Sequence, residues 1–151
     1  MIEILGIDLG YTILDNPNKK EFPESFRVIR RLAAERFGNR IYIVSKVTPE
    51  QEVRARNWIE SPSFQKGTGI PIKRAHFCQE RREKGTICAQ LGITHFIDDR
   101  PEVMNFMPES VIHRILFRPR SEDLEQFAHI ISNMDKANSW LDIEQMLLDK
   151  N

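Results

Sequence analysis

The chain has only two cysteines, Cys78 and Cys88, in 151 residues. That is too few for a disulfide framework, and without a Cys-x-x-Cys pattern or clustered histidines they make no zinc site; they read as reduced thiols. No apolar stretch approaches the length of about 18 residues expected of a membrane span. The amino terminus runs straight into a strand pattern without the apolar core of a secretory signal, so the cytoplasm is the expected location and no membrane partner is expected. An excess of charge is also lacking, because 22 Lys+Arg balance 22 Asp+Glu. There is neither a global basic field to suggest nucleic acid nor an acidic tail. No repeat or low-complexity segment is present. His76, His95, His113 and His129 show no ligand spacing and read as core or surface side chains, and Trp58 and Trp140 read as packing residues.

What is present is enough apolar material for one core. A hydrophobic content of 40% over this length supports a single domain, residues 1–151, with little room for a second. Strand and helix patterns alternate. The run Ile2 to Ile7 looks like a strand buried on both faces, and Asp15 to Glu21 is a polar loop. Phe22 to Phe37 places Phe26, Ile29, Leu32 and Ala33 on one helical face and stops at Gly38-Asn39. Ile41 to Val44 is a second strand. Thr48-Pro49-Glu50-Gln51 starts a helix that runs to about Glu60, with Thr48 as N-cap and Gln51 at the capping-box position.

Ser61 to Pro71, with Gly67, Gly69 and two prolines, reads as a loop. Arg74 to Cys78 is a short strand, and Glu80 to Leu91 a helix closed by Gly92. His95 to Ile97 is a strand, Pro101 to Phe106 a short helix and Val111 to Phe117 a further strand. Ser121 to Leu148 reads as helical, either continuous or in two pieces broken near Asn138-Ser139. The fold class this implies is α/β: a doubly wound, mostly parallel sheet with helices on both faces.

Polar residues sit where these strands end. Asp8 ends the first strand, followed by Gly10 and Thr12; Ser45 and Lys46 end the second; Asp98-Asp99-Arg100 end the fourth. In an open α/β sheet that edge is where ligands bind. Lys84 opens a helix between the last two segments. Each residue has a plainer reading: Asp8 as a turn former or N-cap, Ser45 as a turn cap, Lys84 as one charge in the run Glu80 to Lys84, and Asp98-Asp99 as a helix cap. Alternation along the strand also predicts that Lys46 points away from Ser45.

In this order the segments resemble the haloacid dehalogenase superfamily of aspartate-nucleophile hydrolases. Its motifs are a strand-end Asp-x-Asp-x-Thr, a strand-end Ser or Thr, a Lys and a strand-end acidic pair. Asp8, Thr12, Ser45, Lys84, Asp98 and Asp99 match, Ile97 to Pro101 being the more specific part, and the resemblance spans nearly the whole chain. It implies a Mg²⁺-dependent phosphohydrolase acting on a small phosphorylated molecule through an aspartyl-phosphate on Asp8, with nucleotides a candidate class because Ile97 to Pro101 resembles the corresponding motif of the small deoxyribonucleotidases. Asp8, Asp98, Asp99 and the backbone carbonyl of Gly10 would hold the metal, and Thr12, Ser45 and Lys84 the phosphate. Larger relatives insert a cap domain, for which this chain has no room, so the site is expected to be open or covered by oligomerisation. One position departs from the pattern. The second aspartate, the general acid and base, is Gly10 here. The resemblance therefore leaves two readings open: a slow hydrolase restricted to good leaving groups, or a binding or regulatory module that keeps the metal and phosphate pocket.

Overall fold

The computed structural model describes residues 1–149; Lys150 and Asn151, the end of the expected 1–151 domain, lie outside the described residues. Six strands form one parallel sheet: β1 (Leu5–Ile7), β4 (Ile41–Lys46), β5 (Ala75–Cys78), β6 (His95–Asp98), β7 (His113–Phe117) and β8 (Asp135–Ala137). Their order is β5-β4-β1-β6-β7-β8. The chain thus builds outward from β1 in one direction, then returns to the other side of β1 and builds outward again. That reversal leaves a crevice at the carboxyl ends of β1 and β6, the switch point of a doubly wound sheet.

Each strand feeds both layers, as the alternation of side chains requires. Phe96 faces one layer and its neighbour Ile97 the other. The larger layer holds α1 (Ser25–Leu32, continued by a π-helical turn Ala33–Phe37), α2 (Pro49–Ile59), α3 (Pro62–Thr68) and α8 (Trp140–Glu144, continued by a π turn Gln145–Asp149). The opposite layer holds α4 (Arg81–Leu91) and α5 (Pro101–Met104). Gly6 makes the second layer possible, because a Cβ there would lie 2.8 Å from the Phe96 ring. Burying an Ile, Leu or Phe is worth about 1.5–3 kcal/mol, so the fully buried Leu5, Ile7, Ile43, Phe96 and Ile97 hold the central strands firmly beneath the crevice.

Several elements differ from the sequence expectation. The loop expected over Asp15–Glu21 is a small antiparallel hairpin of β2 (Leu14–Asp15) and β3 (Lys20–Glu21), closed by an Asn18 amide donating to Asp15 at 2.7 Å. Ser61–Pro71 holds the helix α3, with Ser61 Oγ accepting from the Phe64 amide and Gly69 at φ 75° ending it. The long carboxyl-terminal helix does not form. Residues Ser121–Gln126 (α6) and Ala128–Ile131 (α7) are short helices, and β8 follows as an edge strand. No cap domain is inserted among the described residues, and none of their helices is long and apolar enough to cross a membrane.

Candidate functional site

The first strand delivers Asp8 to the crevice, and its backbone amide, donating to Ile97 O at 2.9 Å, ties it to the neighbouring strand β6. The next residues turn tightly. Tyr11 adopts the left-handed conformation, φ 61°, and its amide donates to Leu14 O. Thr12 is fully buried by this turn, and its hydroxyl donates to Asp8 Oδ2 at 3.5 Å. Trp140, itself buried, donates its indole N–H to Thr12 O at 2.9 Å. The turn carrying the candidate site is thereby anchored to α8.

The helix α4 contributes Lys84 from its first turn. A capping box, in which the Glu80 amide donates to Glu83 and the Glu83 amide bonds back, fixes the start of that helix. Lys84 Nζ donates to Asp8 Oδ1 at 3.0 Å and to Asp98 Oδ2 at 2.7 Å. The other Asp98 oxygen accepts the Arg100 amide at 3.0 Å. Oxygens of Asp8, Asp98 and Asp99 all lie within 4.8 Å of one another. Burial disfavours the Lys84 ammonium, but the Asp8 and Asp98 carboxylates outweigh that and hold it above its ordinary pKa. Burial and then repulsion from Asp8 drive the Asp98 and Asp99 carboxyls upward.

Three carboxyl groups gather beside one buried ammonium, which bonds Asp8 and Asp98, while Asp99 has only Arg100 at 3.9 Å. The cluster is thus short of positive charge, and its donors are hard oxygens. That donor set suits Mg²⁺, which takes one or two carboxylates and keeps several waters. Asp8, Asp98 and Asp99 could hold such an ion.

Above the cluster opens a cleft of 770 Å³, within the usual range for small-molecule sites. Asp8, Gly10, Ser45, Lys84 and Asp99 line it. Thr12 and Asp98 do not: each braces a residue that does. Ser45 is buried and Lys46 exposed, in keeping with alternation along the strand, and both line the cleft. No family model matches this chain, and no curated protein matches it. Among solved structures it is similar to the solution NMR structure of a de novo designed Rossmann 3x3 fold protein, at 10% identity and a TM-score of 0.51, over 96% of this chain and 93% of that one. That likeness establishes the Rossmann-like fold and speaks to nothing else.

Other cleft residues were not read as site residues from sequence, where Gln51 stands only as a capping residue and Trp58 as a packing residue. Gln51, Arg54, Ala55 and Trp58 line one wall from a single face of α2. Their spacing of i, i+3, i+4 and i+7 is a readable stripe, but Arg54 and Gln51 do not look apolar and so do not announce a buried face. Asn16, on the hairpin, stands opposite Gly10. Its Oδ1 would lie 3.2 Å from a Cβ at Gly10 and accepts the Tyr11 amide at 3.2 Å. Nothing in the sequence alone brings these two together.

Proposed function

We propose that the chain is a Mg²⁺-dependent phosphohydrolase of the haloacid dehalogenase type, with Asp8 as nucleophile. The observation that carries this reading is Asp8 itself. It is a buried carboxylate held by Lys84 at the carboxyl end of the central strand, beside two further carboxylates and facing a cleft.

An Asp8 oxygen attacks phosphorus, the bond to the leaving oxygen breaks with its electron pair, and an acyl phosphate forms on Asp8. Water then cleaves that acyl phosphate, returning the carboxylate and inorganic phosphate. Lys84 holds Asp8 by its 3.0 Å bond and offsets charge on the phosphoryl oxygens, and Ser45 donates to one of them. When bound, Mg²⁺ would supply charge neutralisation for the phosphoryl group. Thr12 orients Asp8 from beneath.

Gly10 favours a second reading, a binding module that keeps the pocket without turnover. Among the described residues the only carboxylates lining the cleft are Asp8 and Asp99, the nucleophile and a metal ligand in this reading, so no third carboxylate is there to protonate a leaving oxygen. A panel of aryl, acyl and alkyl phosphates with Mg²⁺, and Asp8→Asn as control, separates the two. Asp8-dependent release of phosphate from the aryl or acyl substrates supports the hydrolase. Retained binding of a phosphate mimic without any release supports the module.

A further inference from the structure

The cleft wall is charged out of proportion to the chain. The whole sequence is neutral, yet beyond the Asp8 cluster the cleft is lined by Lys19, Lys46, Arg54, Arg81 and Arg100 and by no further carboxylate. Two of these are committed to a partner: Arg81 lies 3.0 Å and Arg100 3.7 Å from Glu102. Lys19, Lys46 and Arg54 have no ion pair among the described residues. They arrive from three separate elements: the β2–β3 hairpin, the end of β4 and the middle of α2.

Lys19 is held in the left-handed conformation, φ 56°, by its amide donating to Asp15 O at 2.7 Å. Arg54 shares its helix face with Trp58, whose ring is fixed against Phe64 and Phe26. A phosphoryl group bound at Asp8 is already served by Lys84, so three further cations without an ion pair lining the same cleft exceed what a single phosphate needs. Like charges gathered in a cleft repel one another unless an anion offsets them.

We propose that the site takes a small molecule bearing two anionic groups: a phosphoryl group at Asp8 and a second phosphate or carboxylate held by Lys46 and Arg54, with Lys19 at the opening. The inference rests on the phosphohydrolase reading and deepens it. The Trp58 and Tyr11 rings, both on the cleft wall, suit a flat or apolar spacer between the two anions.

The test compares phenyl phosphate with 4-carboxyphenyl phosphate, which differ by the distal anion alone. Affinities are measured by calorimetry with Mg²⁺ on Asp8→Asn, which prevents turnover. The carboxylated probe should bind on the order of tenfold more tightly, as expected for one added charge-assisted contact. The ratio should shrink as salt is raised. It should fall toward one in the Lys46→Ala/Arg54→Ala double variant and stay at the wild-type value in Arg30→Ala, a substitution outside the cleft lining. Phenyl phosphate bound as well as the carboxylated probe would overturn the proposal and leave the phosphohydrolase reading standing. Failure of Asp8→Asn and of the wild-type chain to bind either probe would remove that reading, and this proposal with it. Repeating the comparison with a phenyl bisphosphate in place of the carboxylate tells a preference for phosphate from one for carboxylate at the second position.

Discussion

Lys84 Nζ lies 2.7 Å from Asp98 Oδ2, and the Asp98 side chain is wholly buried. The ammonium is also the nearest cation to Asp8, so it holds together two carboxylates that would otherwise repel. Replacing one partner of a buried pair leaves an uncompensated charge, which costs about 3–5 kcal/mol. Lys84→Met keeps the length and loses the charge. Urea denaturation without Mg²⁺ should show a loss of that size, and a loss below about 1 kcal/mol would mean that the cluster does not depend on this cation.

Because three carboxyl groups cluster where a single buried ammonium bonds two of them, an added cation should prefer the native state. A ligand at 100 times its dissociation constant stabilises by about 2.7 kcal/mol. Thermal unfolding followed against Mg²⁺ should therefore shift upward with concentration, and the shift should shrink in Asp99→Asn. An unfolding temperature indifferent to Mg²⁺ would remove the metal from the proposed chemistry.

The residue after Lys84 sets how closely its helix approaches the turn that follows α5. A Cβ on Gly85 would come 1.9 Å from the Phe106 carbonyl oxygen. In most helices Gly→Ala gains up to about 1 kcal/mol. Here the sign should reverse, because backbone must move: Gly85→Ala should cost about 3 kcal/mol, the upper end for an overpacked core. Displacing α4 should also weaken tungstate binding through Lys84. A Gly85→Ala chain with unchanged stability would show that α4 is not held in contact with this carbonyl.

The difference between what could and could not be read from sequence follows from which forces write themselves locally. Strands β1, β4 and β6 are buried on both faces, so each is an apolar run, and a polar residue such as Asp8, Ser45 or Asp98 stands out where the run ends. The edge strand β8 is Asp-Lys-Ala, with only Ala137 buried; pairing with β7 creates it, and no local pattern does. Helix α3 carried a start signal in Ser61-Pro62, but Gly67 in its interior reads as a breaker. The structure supplies the reason, since a Cβ there would lie 2.3 Å from the Phe26 ring. The acidic centre was legible because strand order brings its members together. The opposition of Asn16 and Gly10 depends on a hairpin whose strands are too short to show a period.

Acid should destabilise the fold through a histidine far from the cleft. His95 is fully buried at the start of β6, stacked on His113, with Arg36 Nη2 at 3.3 Å, Thr94 Oγ1 at 2.8 Å and Glu3 at 3.8 Å. Burial, then the His113 and Arg36 charges, push its pKa down from 6.5 to about 4, against a smaller opposing pull from Glu3. The unfolded chain therefore binds this proton more readily. The neutral ring's contribution is fully present above pH 6.5 and is lost as pH falls toward 4, by at most about 3 kcal/mol. Glu3, held down to about 2 by Arg36, loses its contribution only below its ordinary 4.5. The raised Asp98 and Asp99 carboxyls act in the opposite sense over this range, so the comparison is between chains: from pH 7 to pH 4.5 the wild type should lose more stability, or gain less, than His95→Gln. Equal changes in the two chains would place the acid sensitivity elsewhere.

In the proposed hydrolase chemistry, Gly10 decides the kinetics. With no carboxylate to protonate the leaving oxygen, aryl and acyl phosphates should react far better than alkyl phosphates. The same carboxylate would have activated water in the second step, so the acyl phosphate on Asp8 should accumulate. The expected signature is a burst of leaving group followed by slow turnover. Restoring the carboxylate with Gly10→Asp should abolish the burst and raise the steady-state rate by about 10²-fold. The backbone does not resist this change, because the left-handed conformation in this turn falls on Tyr11 and not on Gly10. The obstacle is Asn16 Oδ1, 3.2 Å from the added Cβ, a side chain that can swing aside by a few tenths of an ångström. Its removal in Gly10→Asp/Asn16→Ala should therefore give at least the rate of Gly10→Asp alone. If Gly10→Asp folds and no variant shows Asp8-dependent hydrolysis or a phosphorylated intermediate, the hydrolase reading gives way to the binding module.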